Sequence, residues 1–335
     1  MIFWVKKSLQ KSFYVYFATK IIVMPLKTKK FMSKFVLSLF FFSLLFVIVN
    51  IGIVRAVVIN SDGTINPSDA PIERDGDTYI LTDDIGYLAV SRSNITIDGY
   101  GNKINGGADS AVRLLYVNNV TLRNCIITGA DHGPLQVGIV LDYSSNCVIS
   151  GNIITTTMHV NPKFWMTSGI HLGRGGSHII SGNYLTNNQV GIHFSSDTMN
   201  NTIVGNNIKN NSLGIGIAGS SDNIFYNNNF INNSCHVSDM GISLPDVVSL
   251  SVNLWDNGVT GNYWSNYTGQ DINGDDIGDS PHFIYENNQD NYPLMAPVDI
   301  GVIPEFPSWI ILPLFLMTVF FAVALKRRIR YRSAT

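Results

Sequence analysis

Residues whose types could do chemistry fall into three groups in this chain. The first is a set of histidines and aromatics. Short segments of the form G-I-x-L recur along the sequence, and their third positions are Arg113, Val140, His171, His193 and Gly216. If these segments are strands stacked in register, one side of each x position faces outward and His171 lies directly above or below His193. His132, and His159 with Trp165, lie on the two irregular connections nearby, Gly129 to Val137 and Thr155 to Ser168. Loops carried on a rigid scaffold are where binding groups tend to sit. Aromatic and polar groups together suit a sugar, and imidazoles suit copper or zinc. The plain alternative is that two histidines occupy exposed strand positions that tolerate any residue.

The second group is acidic. Asp131, Asp142 and Asp197 are the carboxylates nearest that face. Glycoside hydrolysis requires two positioned carboxylates about 5 to 9.5 Å apart. These three form no evident pair, and no basic residue is flanked by several acids on one strand, so no catalytic residue is assigned. If the chain is an enzyme, polysaccharide lyase or glycoside hydrolase is the class expected.

The third group is a string of oxygen ligands. Asp271, Asn273, Asp275, Ile277 through its carbonyl, and Asp279 have the alternating spacing of a calcium loop. Asp276 stands where such loops place a glycine, and His282 stands at the twelfth position in place of glutamate. Calcium is therefore the expected cofactor, in a structural site weaker than an EF-hand. Cys125, Cys147 and Cys235 make no paired framework, and all three read as small buried residues. No Cys or Met copper motif is present.

The element that must carry these groups is a repeat. Gly138 to Ile154 reads G-I-V-L-D-Y-S-S-N-C-V-I-S-G-N-I-I. Copies start near Gly86, Ala111, Gly169, Gly191 and Gly214, at intervals of 22 to 31 residues. Each holds two short runs rich in β-branched residues separated by Ser, Asn, Asp and Gly, which is strand and turn composition with no room for a helix. Stacking the copies puts Ile97, Leu122, Ile149, Ile180, Ile203 and Phe225 in one column. Ile127, Ile154, Leu185, Ile208 and Phe230 form another. Asn152, Asn183, Asn206 and Asn228 share one turn position, where amides can bond from turn to turn. A single turn cannot bury its apolar side, so neighbours must supply the core. The expected fold is all-β, a right-handed parallel β-helix.

Around the repeats the chain divides into a leader and signal segment at 1–56, β-helix at 57–250, an aromatic cap at 251–298, and a linker with I-P-E-F-P at 299–308. An apolar transmembrane or sorting segment follows at 309–325, with a basic cytoplasmic tail at 326–335. Val57 to Asn60 and Thr78 to Leu81 are the expected first strands, over the open end of the coil. The two end segments 1–56 and 326–335 hold 14 of the 22 Lys and Arg and no acid, leaving 57–325 near −16. That charge argues against nucleic acid as a partner, because duplex binding needs phosphate neutralisation. The apolar run Phe35 to Val54 ending in V-R-A suits a cleaved export signal, with an uncleaved anchor as the alternative. The basic tail keeps its end cytoplasmic and the β-helix outside. Sequons at Asn94, Asn119, Asn200, Asn210, Asn232 and Asn266 suit an exported glycoprotein.

The segments Asp75 to Ile85, Asn94 to Gly99, the G-N copies, Gly261 to Tyr267 and Ile277 to Met295 resemble the NosD-type right-handed β-helix family of carbohydrate-binding proteins and sugar hydrolases. The ending W-D-N-G…G-N-Y-W-S-N-Y…D-I-G-D-S-P…Y-P-L-M is the most specific part. The tail I-P-E-F-P with its apolar run and basic cluster is similar to the PEF-type sorting signal of archaeal surface proteins. Together these imply an archaeal cell-surface protein, held at the membrane by its C-terminal segment and facing polysaccharide or envelope glycan. It would bind carbohydrate or act as an envelope scaffold. Copper delivery, which the family name implies, finds no motif here.

Overall fold

The computed structural model describes residues 55–107, 109–129, 137–155, 167–195, 197–239 and 251–301. The chain separates into two compact units, 1–53 and 54–335, and every described residue belongs to the second. Strands of two to six residues alternate with tight turns in this unit. The strands collect into three long sheets of nine, eight and seven members, with a short three-stranded sheet at one corner. Pairing is parallel throughout the coil, so each face is built one strand per turn. The fold is a right-handed parallel β-helix of about six turns.

The apolar columns read from the sequence are pairing registers. Leu122 pairs with Ile97 and Ile149, Ile180 joins Ile149 to Ile203, and Phe225 follows. Ile127, Ile154, Leu185, Ile208 and Phe230 do the same on the seven-stranded sheet. All eleven are fully buried. At the first turn Val57–Ile59 and Thr78–Leu81 each join a parallel neighbour and each form a hairpin with an antiparallel partner.

Asparagine organises the corners in two ways. Inside, the amide of Asn183 accepts from the N–H and Nδ2 of Asn152 and donates to Asn206 Oδ1 and Ile149 O, all within 2.8 to 3.0 Å. The same pattern runs from Cys125 N through Asn152, Asn183, Asn206 and Asn228 to Asn262 and Asp290. A second ladder passes from Cys147 N through His178, Asn201, Asn223 and Asn253 to Asn288. A third links Asn188, Asn211 and Asn233. Each asparagine side chain is a donor and an acceptor, so buried backbone at every turn is satisfied by the next turn. Outside, asparagines such as Asn94, Asn119, Asn146 and Asn200 take left-handed φ near +55°, a conformation asparagine tolerates better than most residues.

Glycine marks the close approach at one edge of the nine-stranded sheet. A β-carbon on Gly138 would stand 2.5 Å from Gly169 O, and one on Gly191 would stand 2.6 Å from Gly214 O. This spacing is why G-I-x-L begins with glycine in successive copies.

The ladders and columns end together. Trp255 stacks on Phe225 with centroids 4.3 Å apart, and Trp264 on Phe230 at 4.2 Å. Their indole N–H groups donate to Asn288 Oδ1 at 2.9 Å and Asp290 Oδ2 at 2.8 Å, the terminal members of two ladders. Tyr263 is half-buried in the same cap and Tyr292 lies at its surface. Cys125 and Cys147 are buried as expected, but Cys235 is exposed, because it opens the last strand of the sheet, Cys235–Asp239. The candidate signal run, the transmembrane or sorting segment and the basic tail lie outside the described residues. No helix among the described residues is long and apolar enough to cross a membrane.

Candidate functional site

The outward column on the nine-stranded sheet is as the spacing required. Arg113 pairs with Val140, Val140 with His171, His171 with His193, and His193 with Gly216. His171 and His193 come within hydrogen-bonding distance, Nδ1 to Nδ1, at 3.0 Å. One Nδ1 must carry the hydrogen and the other must accept it. The histidines are not in open solvent as expected: His193 is 7 % exposed and His171 half-buried. Burial pushes the pKa of His193 down to about 4, with a further push from His171. Burial also lowers His171, opposed by the nearby charge of Asp142. Both rings are neutral at pH 7.

Asp142 ends the strand Val137–Asp142 and pairs with Leu115. Its Oδ1 accepts from the backbone N–H of Arg174 at 3.0 Å and of Tyr143 at 3.1 Å. A side chain on Gly173 would collide with this carboxylate. Glycine there leaves Asp142 at the surface between the histidine column and the corner.

At the corner stand three residues the sequence reading passed over. Tyr116 and Tyr143 follow equivalent strands and stack with ring centroids 4.9 Å apart and planes 15° apart. The Arg174 guanidinium lies 5.0 Å from the Tyr143 centroid and donates to its hydroxyl at 2.5 Å. Both tyrosines have left-handed backbone, φ 57° and 51°, and are 71 % and 45 % exposed. A sequence signal exists: each tyrosine precedes by three residues an asparagine of the repeat, Asn119 or Asn146. The pairing of Gly175 with Thr198 puts Asp197 one register position above Arg174. Asp142 and Asp197 thus share one edge of the coil.

Among the other candidates, Asp131, His132, His159 and Trp165 lie outside the described residues. The two connections that carry them leave from Thr128 and Thr155, which pair with each other, so they leave from one corner on successive turns. The six sequon asparagines are all exposed, and five of them, Asn266 excepted, sit at left-handed corners. In the acidic loop, Asp271 accepts the N–H groups of Gly274, Asp275 and Asp276. Asp275 accepts from Ile277 N, Asn273 from Asp275 N, and Asp279 from Ile272 N. Asp276 adopts φ 64°, the sharp turn for which a glycine is usual. Ile277 faces Leu294 in an antiparallel bridge, which ties the loop to the cap.

Nδ1 atoms 3.0 Å apart have the separation of two adjacent ligands of one metal ion bound off the line between them, ~2.0 Å from each. Among the described residues no group of three His, Cys, Asp or Glu side chains is arranged to hold a metal ion.

The model of a family described as periplasmic copper-binding protein (NosD) matches residues 50–269. No curated protein matches the chain. Among solved structures, the periplasmic alginate epimerase AlgG aligns at 17 % identity and TM-score 0.41, over 51 % of this chain and 41 % of its own. An alginate lyase from Paenibacillus sp. strain FPU-7 aligns at 13 % identity and TM-score 0.35, over 64 % of this chain and 89 % of its own. The Dettilon tailspike protein aligns at 18 % and 0.28, over 53 % and 44 %. The chain therefore spans about two fifths of the epimerase.

Proposed function

The chain belongs to the NosD family, and from that premise we propose that it is an exported β-helix protein that binds glycan along its lateral face. The observation that carries this reading is the pair Tyr116 and Tyr143. A bulky side chain in left-handed backbone costs roughly 1–2 kcal/mol, and a stacked aromatic pair returns only about 0.5–1.5 kcal/mol. Most other left-handed corners of the coil use asparagine, with Ser177, Asp197, Asp222 and a third tyrosine, Tyr100, at others. Strain kept at an exposed position, with no burial to offset it, points to function. The tyrosine edges and hydroxyls, the Arg174 guanidinium, the Asp142 carboxylate and the neutral imidazole of His171 form a mixed aromatic and polar strip, suited to sugar hydroxyls.

Copper handling is not carried into this reading, because no third His, Cys, Asp or Glu side chain joins His171 and His193 among the described residues. For the loop 271–279 we keep calcium as a structural ion, which would have to draw Asp271, Asp275 and Asp279 together, since this structure does not group them for a metal. A melting temperature that rises with calcium, reversibly with chelator, and no longer does so in Asp271→Asn supports it, and an unchanged value removes it. Anchoring through 309–325 and an envelope glycan as partner complete the proposal.

The test is retention of the full chain on a panel of polysaccharides, with new chain ends scored in the same samples. Retention by the parent that falls in Tyr116→Asn and Tyr143→Asn supports binding at this strip. Retention unaffected by both substitutions overturns it. New reducing or unsaturated ends would make the protein a lyase or hydrolase, with Asp142 and Asp197 the first carboxylates to replace.

A further inference from the structure

A cleft of about 510 Å³ opens at the end of the coil, lined by residues 232–237, 264–266 and 282–284. It shares no residue with the lateral strip. Its size is that of a small-molecule site, and none of its lining residues is Asp, Glu, Lys or Arg.

Hydrogen bonding in the cleft is set by the third asparagine ladder. Asn233 Oδ1 accepts from the N–H and Nδ2 of Asn211, both at 3.0 Å, which fixes the direction of its amide. Nδ2 of Asn233 then faces Ile208 O at 2.8 Å and His236 Nδ1 at 3.2 Å. His236 Nδ1 is thereby the acceptor and its Nε2 carries the hydrogen. That Nε2–H lies 3.3 Å from Ser265 Oγ, which also accepts the Asn232 N–H at 3.1 Å. Ser265 Oγ is thus twice an acceptor, and its own O–H has no acceptor among the described residues.

His282, paired with Asp290 through its backbone, stands on the other wall, its ring 4.7 Å from Trp264 and its ring nitrogens without a hydrogen bond to a described residue. Burial lowers its pKa, and burial followed by His282 itself lowers that of His236 to about 4. Both rings are neutral at pH 7, so each of His282's nitrogens has one role, one donor and one acceptor. Phe283 is 69 % exposed.

We propose that this cleft binds a single neutral sugar ring, packed on Phe283, with hydroxyls accepting from Ser265 and exchanging hydrogen bonds with His282. An uncharged wall of hydroxyl, amide and imidazole satisfies a polyhydroxylated ring. An anionic sugar would enter with no cation to offset its desolvation. The inference does not rest on glycan binding by the lateral strip.

The experiment titrates the full chain with methyl glycosides of neutral hexoses and with a methyl uronoside, by calorimetry and by the ring-proton shifts of His236 and His282. A neutral glycoside binds, Phe283→Ala weakens it about tenfold, and Ser265→Ala weakens it several-fold. The uronoside binds at least about tenfold more weakly. No heat or shift with any neutral glycoside overturns the proposal. So does equal affinity for the uronoside, or undiminished affinity in both Phe283→Ala and Ser265→Ala. Phe283 is exposed, so its replacement leaves the core intact.

Discussion

His171 and His193, separated by 22 residues, share one hydrogen across adjacent turns of the coil, Nδ1 to Nδ1 at 3.0 Å. This contact makes the pair acid-sensitive. The folded pKa of His193 is depressed to about 4 from 6.5, so between those values the unfolded chain binds the extra proton. Stability from this group is complete above about pH 6.5 and is lost as pH falls through 4, with a ceiling of about 3 kcal/mol. Urea unfolding across pH 7.5 to 4 will show a flatter profile in His193→Gln than in the parent. Equal slopes would mean that His193 does not titrate in this window.

His178 occupies a position that is asparagine in later turns, accepting the Cys147 N–H at 3.2 Å while its own N–H donates to Asn201 Oδ1. Burial lowers its pKa to about 4. His178→Asn restores the ladder residue, adds an Nδ2 donor toward Asn201 and removes a titrating group. The variant is expected to match or exceed the parent by about 1 kcal/mol at pH 7.5, and its advantage grows as the pH falls toward 4. A loss of stability at both pH values would show that the imidazole's bulk, not its acceptor, is needed there.

Asp290 has the opposite sign. Burial raises its pKa to about 6 from 3.8, against hydrogen bonds from Trp264, Asn262 and Tyr292 that lower it. Its contribution is fully present below about pH 3.8 and is lost as pH rises through 6. The stability difference between parent and Asp290→Asn should therefore be about 2 kcal/mol larger at pH 4 than at pH 7.5. Chemical denaturation at the two pH values reads it directly, and a constant difference would mean that the carboxyl titrates in the fold as it does in the unfolded chain.

For Tyr116→Asn and Tyr143→Asn, relief of left-handed strain and loss of the stack nearly cancel. Thermal unfolding should change by less than about 1 kcal/mol in either variant, while polysaccharide retention falls about tenfold. A large loss of stability would instead make the tyrosines part of the framework.

The amino-acid sequence by itself determined the repeat, both apolar columns, the shared asparagine position and the order of the outward column from Arg113 to Gly216. Each follows from spacing within a copy, and parallel stacking converts equal spacing into contact. It also separated Cys125 from Cys147, since the two occupy different ladder positions. Tertiary structure alone decided that His193 is buried, that Tyr116, Tyr143 and Arg174 form one stack, and that two ladders end on Asn288 and Asp290 beneath two tryptophans. It alone brought Ser265, His236 and His282 around one cleft. These relations depend on how turns of unequal length superpose and on how a hairpin some thirty residues away closes the last turn, and neither is written in the period of the repeat.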